Sequence, residues 1–247
     1  MPFYRIADFT VEFQNRYPRL ERQCAAYRLP DGTGNATPDF RISVSEEEID
    51  ASEKESPGFS RGYHESICMY RKLCTCILHR DAMLIHAAVV ACDGYAYAFS
   101  AKSKTGKSTH IALWRRCFGD RVSVINGDKP ILRLHADGQI FAYGTPWCGK
   151  EGWNTNTSAP LAALCFLEQS PENRIRPLSS SEALDRILHQ LLRPRNAAEM
   201  DLTLRFTDIL LRKVPVFLLG CNMEPEAAEL SFRTLTAVKG VPPHENP

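Results

Sequence analysis

No run of 18 apolar residues occurs in the 247-residue chain, which argues against a hydrophobic helix spanning a membrane. Neither sign of charge is in excess: 30 lysines and arginines stand against 29 aspartates and glutamates, for a formal net charge of +1. No overall field draws the chain onto nucleic acid or an anionic membrane surface, and neither is expected as a partner. Internal repeats and low-complexity segments are absent. The start, Met1-Pro-Phe-Tyr-Arg-Ile-Ala-Asp, lacks a basic residue cluster followed by a long apolar stretch. A secretory signal is therefore not expected, and a cytoplasmic location is. Cysteine is plentiful at nine, but no C-x2-C pair exists. The nearest arrangement is Cys74-Thr-Cys76 with His79 downstream, in a stretch with helical spacing where positions i and i+2 point to different faces. These cysteines are read as reduced, buried thiols rather than as a disulfide framework or a zinc site.

What is present is an ordinary globular composition, 44% hydrophobic and 24% charged, sufficient to bury a sizeable core. Tyr4, Ile6, Phe9, Val11 and Phe13 alternate loosely, which predicts strands in the first forty residues. Pro30 to Pro38 is turn-rich, and Phe40 to Val44 alternates as a strand. Ser45 and the glutamates after it read as a capped helix start or as a solvated polar segment. Tyr63, Ile67, Tyr70, Leu73, Cys74 and Leu78 predict a helix over 60–79. From residue 83 the pattern becomes an apolar β run, Met83 to Cys92, a hairpin turn at Asp93-Gly94, and a return strand, Tyr95 to Ser100. A polar loop at 101–106 leads into a helix from Lys107 to about Cys117. Further strands are expected at 122–126, 131–135, 140–143, 161–167 and 214–219, with helices at 180–193, 196–212 and 225–237. The stretch from Gly144 to Ser158 is a long loop, and loops of that length in compact domains are often functional.

One motif carries most of the functional information. Ala101-Lys102-Ser103-Lys104-Thr105-Gly106-Lys107-Ser108-Thr109 follows the phosphate-loop pattern G-x4-G-K-[ST] except that Ala101 stands in the place of the first glycine. A strand enters it and a helix leaves it, so loop amides and the helix N-terminus would form an anion site. Lys107 would reach the β and γ phosphates as a mobile charge, and the Ser108 hydroxyl would bind Mg²⁺. Lys102 and Lys104 add positive charge. Ala101 is tolerable if its φ is negative and costly if positive. The competing reading is a chance Gly-Lys-Ser-Thr at a capped helix. Asp128 ends the apolar strand Val122-Ser-Val-Ile-Asn-Gly-Asp, at the carboxyl edge where α/β sheets place ligands. It would hold Mg²⁺ or accept a substrate proton; otherwise it is a turn aspartate before Pro130.

These motifs and the hairpin before them, His86-Ala-Ala-Val-Val-Ala-Cys-Asp-Gly-Tyr-Ala-Tyr-Ala-Phe-Ser-Ala-Lys-Ser-Lys-Thr-Gly-Lys-Ser-Thr and then Val-Ile-Asn-Gly-Asp128, resemble the HPr kinase/phosphorylase catalytic domain family. That family is structurally related to ATP-dependent phosphoenolpyruvate carboxykinases. The resemblance spans about residues 83–170. It implies an α/β phosphate-loop core with a mixed β-sheet, flanking helices and a small N-terminal β-rich extension. The expected division is 1–59 as that extension packed on the core, 60–240 as the phosphate-loop domain and 241–247 as a frayed tail. By resemblance, His86 matches an active-site histidine, Lys107 the loop lysine, Ser108 the Mg²⁺ ligand and Asp128 the second member of an Asp-Asp pair. From the residues alone, His86 could as well be a buried histidine bonded to backbone. Position 127 is glycine, so one carboxylate of the pair is missing. Gly144 to Trp153 looks like a loop of shorter, stand-alone relatives, some of which occur beside peptide-modification genes. His79, His110, His135, His189 and His244 show no partner spacing.

The combined expectation is an ATP- and Mg²⁺-dependent kinase that phosphorylates a hydroxyl, serine of a protein or peptide. Catalysis would rest on Asp128, His86 and Lys107, with nucleotide held by residues 101–109. Lys150 and Glu151 of the long loop would contact the acceptor, while Trp147 and Trp153 either stack on a ligand or pin the loop. A homo-oligomer is compatible with the sequence. Two other readings stand beside this one: a non-catalytic ATP-binding regulatory module, and a carboxykinase-like enzyme acting on a small molecule.

Overall fold

A computed structural model describes residues 2–30 and 37–238. Positions 31–36 of the turn-rich loop, the 241–247 tail and His244 lie outside the described residues. The chain forms two compact units, Met1–Arg80 and Asp81–Pro247. The helix over 61–78 belongs to the first of these units.

In the first unit, β1 (Phe3–Ile6) and β2 (Phe9–Gln14) form an antiparallel hairpin. Its two turn residues, Ala7 and Asp8, both have positive φ (50° and 61°), the twist that a two-residue hairpin loop requires. β3 (Phe40–Ser43) adds in parallel to β2. Helices α1 (Pro18–Gln23), α2 (Glu46–Glu55) and α3 (Arg61–Leu78) complete the unit. α1 is not expected from the sequence, because six residues with one buried side chain, Leu20, display no period. Ser45 and Glu48 form a reciprocal capping box, so the acidic stretch after Ser45 is a helix rather than a solvated segment. Arg61 binds Glu46, Asp50 and Glu53, tying α3 to α2. Cys74 is buried on α3 and Cys76 is half-buried there, with burial raising the Cys76 thiol above its ordinary value.

The second unit is built on a nine-stranded mixed sheet. Its strands are β4 (Ala82–Leu84), β5 (Ala87–Cys92), β6 (Tyr95–Ser100), β7 (Val122–Asn126), β8 (Ile131–Leu134), β9 (Ile140–Tyr143), β10 (Ser158–Gln169), β11 (Arg174–Pro177) and β12 (Val216–Cys221). The order is β4-β8-β9-β10-β6-β5-β7, with β12 pairing β10 and β11 pairing β12. β6 runs parallel to β10 on one side and antiparallel to β5 on the other. The helices are α4 (Lys107–Phe118), α5 (Ser180–Leu188), α6 (Ala197–Lys213) and α7 (Pro225–Ala237). α4 and α7 pack together around Trp114, which is fully buried among the rings of Tyr97, Phe99, Phe118 and Phe232. An aromatic cluster of this size supplies much of the apolar burial that holds α4 to the sheet.

Three differences from the sequence expectation have physical causes. The apolar run at 83–92 is two strands, because β4 pairs with β8 while β5 pairs with β6 and β7. At the break, Ile85 bridges Leu191 and the His86 amide donates to the Gln190 carbonyl. β11 is missed because its exposed Arg-Ile-Arg-Pro carries no apolar alternation. α5 ends at Leu188, five residues early, with His189 closing its last turn and Leu191 drawn into the bridge with Ile85.

Candidate functional site

β6 is buried along nearly its whole length, and at its carboxyl end the chain turns through 101–106 before α4 begins. Two loop residues take the left-handed region, Lys104 at φ 67° and Gly106 at φ 121°. Ala101 is not among the positive-φ residues, so the alanine costs no backbone strain, and it is only 3% exposed. Gly106 is the glycine the turn does need. It occupies the N-cap of α4 without a side-chain cap, and no acidic residue sits in the first turn, so the helix's leading amides keep their capacity for an anion. Lys102, Ser103, Lys104 and Thr109 are exposed, while Thr105, Gly106 and Ser108 are half-buried.

Lys107 folds inward and is 8% exposed. Its Nζ lies 2.9 Å from His86 Nε2 and donates to the Ala101 carbonyl at 3.3 Å. The same His86 Nε2 lies 3.0 Å from Asp128 Oδ1. Three side chains from separate segments thus meet at one ring nitrogen. A neutral imidazole nitrogen either donates or accepts, so Nε2 serves Lys107 or Asp128 at any instant and not both. His86 Nδ1 faces Gln190 Oε1 at 3.1 Å. Asp128 is aimed by Asn126, whose Oδ1 accepts from the amides of Asp128 (2.9 Å) and Lys129 (2.7 Å). Asn126 is itself held by Thr145, to whose carbonyl its Nδ2 donates at 3.0 Å.

Burial, the largest influence on Lys107, pushes its ammonium below the ordinary lysine range, with the Asp128 carboxylate opposing. For Asp128, burial is again the largest single influence and works upward. Its neighbours His86, Lys129 and Lys107 outweigh it, and the carboxyl is held below its ordinary value. The pair is therefore a carboxylate that keeps its charge beside a lysine whose charge is costly to hold. An incoming anion would relieve that cost.

The long loop begins at 144 and ends where β10 starts, at Ser158. It closes over the end of β7: Gly127 N donates to Trp153 O at 2.8 Å, and Thr155 N donates to Ile125 O at 3.0 Å. Trp147 is 5% exposed. Trp153 packs on the core with the Arg115 guanidinium 5.5 Å over its ring. Both tryptophans pin the loop. A Cβ at position 127 would lie 3.0 Å from Cys148 O and 3.3 Å from Trp153 O, so the loop backbone fills the space a second carboxylate would need. A Cβ at Gly149 would lie 3.2 Å from Asp128 Cβ, which brings the loop tip against the carboxylate. Glu151 is near enough to favour the Lys107 charge, and Lys150 is exposed.

Two cavities flank the phosphate loop. One, of about 800 Å³, lies between Ala101–Thr105, the end of β10 and the α5 side, and reaches Gln190. The other, of about 530 Å³, runs along Thr109 and Leu113 of α4 to Leu167, Pro171 and Met223. Among the described residues, no cluster of three His, Cys, Asp or Glu side chains has metal-holding geometry, and no helix is long and apolar enough to cross a membrane. Sequence reasoning missed Asn126, Thr145 and Gln190. Asn126 carried a readable signal, Asn-Gly-Asp as an Asx turn.

The fold is that of an α/β protein with a mixed nine-stranded sheet, in which a strand–loop–helix turn follows the carboxyl end of β6. A family model described as "ScmC: SynChlorMet cassette protein ScmC" matches residues 64–226, and the chain belongs to that family. The family shown is thus ScmC, not the HPr kinase family that the motifs resemble. The structure of the Hpr(Ser) kinase/phosphatase from Coxiella burnetii is similar over 63% of this chain and 88% of that one, at 13% identity and a TM-score of 0.36. At that level no residue role passes from one chain to the other. No curated protein matches.

Proposed function

We propose that the chain transfers the γ-phosphoryl group of ATP to a hydroxyl, serine of a protein or peptide. The observation that carries this reading is the meeting of Lys107, His86 and Asp128 at one point beside the phosphate loop. Loop amides and the first turn of α4 would take the phosphates, with Lys107 leaving His86 to neutralise developing charge. The apolar cavity along Thr109 and Leu113 suits the nucleoside, and the cavity that reaches Gln190 suits the acceptor. Mg²⁺ travels with nucleotide phosphates and needs only one or two protein oxygens, so Ser108 and Asp128 fit it without a dedicated cage. When bound it would supply charge neutralisation on the transferring group. Asp128, anionic and hydrogen-bonded to His86, would accept the hydroxyl proton. Lys150 and Glu151, on a loop pinned against Asp128, would contact the acceptor.

Incubation with γ-labelled ATP, Mg²⁺ and lysate from the source tests the reading. Label on a protein serine, lost with Asp128→Asn, supports it. ATP bound without transfer favours a non-catalytic regulatory module. One observation supports that second reading: the loop backbone covers the position where another carboxylate would stand. Label on a small oxoacid would instead indicate a carboxykinase-like activity.

A further inference from the structure

We propose that Gln190 is a positioning residue: its side-chain amide selects which ring nitrogen of His86 carries the proton, and thereby whether His86 engages Lys107 or Asp128. The inference rests on the reading above only in taking His86 to lie at the transfer site.

Main-chain structure holds the two residues together independently of their side chains. The His86 amide donates to the Gln190 carbonyl at 2.8 Å, Ile85 and Leu191 form an antiparallel bridge, and Gln190 N is tied to Ile187 O at 2.8 Å. Gln190 is 9% exposed, so its amide is largely shielded from water beside the imidazole. With Oε1 toward Nδ1 at 3.1 Å, the ring nitrogen must carry the proton and donate it. Nε2 is then a lone pair, suited to the Lys107 ammonium 2.9 Å away. If the amide turns over, its N–H₂ donates to Nδ1. The ring proton then sits on Nε2 and points at Asp128 Oδ1, 3.0 Å away. A primary amide offers an acceptor and a donor on one planar group, so it can serve both tautomers. A carboxylate in its place would serve only the Nδ1–H form, and an alkyl group neither.

Phosphate arrival gives the arrangement a direction. Once Lys107 turns to the phosphates, Nε2 loses its donor, and the tautomer that donates to Asp128 becomes the satisfied one. The net protonation of the ring is unchanged: Nδ1 gives its proton to water, Nε2 takes one up from water, and Asp128 gains that hydrogen bond.

The test is nitrogen NMR of the His86 ring in full-length protein labelled with ¹⁵N-histidine, without and with Mg²⁺ and a non-hydrolysable ATP analogue. His86→Asn identifies the signals. Wild type without nucleotide should show Nδ1–H, and analogue should shift the pattern toward Nε2–H. Gln190→Glu should hold Nδ1–H in both states, and Gln190→Leu should lose the nucleotide-free bias. Both variants should lower kcat, by about 10- to 100-fold if the effect matches that of losing the outer partner of a metal-ligating histidine, with KM for ATP little changed. An identical ring pattern in wild type, Gln190→Glu and Gln190→Leu would overturn the proposal. If the pattern responds as described but wild type transfers no phosphate, the positioning role stands and the kinase reading fails.

Discussion

Lys107 and Asp128 carry opposite electrostatic histories, and pH separates them. The Asp128 carboxyl sits below its unfolded value of 3.8, so its contribution to stability is full above that value and fades as pH falls through the folded one. Urea unfolding of Asp128→Asn should show a shallower loss of stability below about pH 4 than wild type; an unchanged acid limb would show that the carboxylate is not held by its neighbours. Lys107 gives a slope of the same sign in an alkaline window, because burial penalises its charged form. Its folded value lies below 10.5, so between the two values the unfolded chain binds more protons and stability rises with pH. Lys107→Met should remove that rise. At this scale Lys107 and Asp128 could be singled out from short local motifs, and His86 through the family resemblance. Gln190 could not be, because it meets His86 across 104 positions of sequence and glutamine carries no motif of its own.

Among the elements, the loop over 144–157 and the strand end it covers have the clearest consequence. A side chain at 127 meets the backbone oxygens of Cys148 and Trp153, which cannot swing aside as a flexible side chain would. Gly127→Asp should therefore destabilise the protein by about 1–3 kcal/mol, the usual cost of overpacking, and should not raise transfer. Denaturant midpoints and the labelled-ATP assay check both halves; a stable, faster Gly127→Asp would mean that the loop yields readily. Lys150→Ala with Glu151→Ala should raise the acceptor KM or lower kcat and leave ATP affinity intact, and a loss of ATP affinity alone would assign the loop to nucleotide. The elements around the phosphate loop could be read from period and turn chemistry. The split of 83–92 could not, since it depends on which distant strands claim each half. The helix after Ser45 needed only its capping box to become visible.

For the whole molecule, strands and helices could be read along the chain, while the mixed sheet was what the family resemblance implied. Strand order escaped that reading. β10 pairs with β9, β6 and β12 at different points along its twelve residues, a relation no local window contains. Ligand linkage acts at this scale as well. Mg²⁺ and ATP at about a hundred times the Kd should stabilise the protein by about 2.7 kcal/mol. Hydrogen exchange should place new protection in the 81–247 unit, concentrated at the end of β6 and the start of α4. The most direct test of the account is calorimetric titration of Mg·ATP into wild-type and folded Lys107→Ala protein. Binding to wild type with an affinity about 10- to 150-fold higher than to the variant is the predicted result, from the loss of a charge-assisted contact. Equal affinity would contradict the assignment of residues 101–109 to the phosphates.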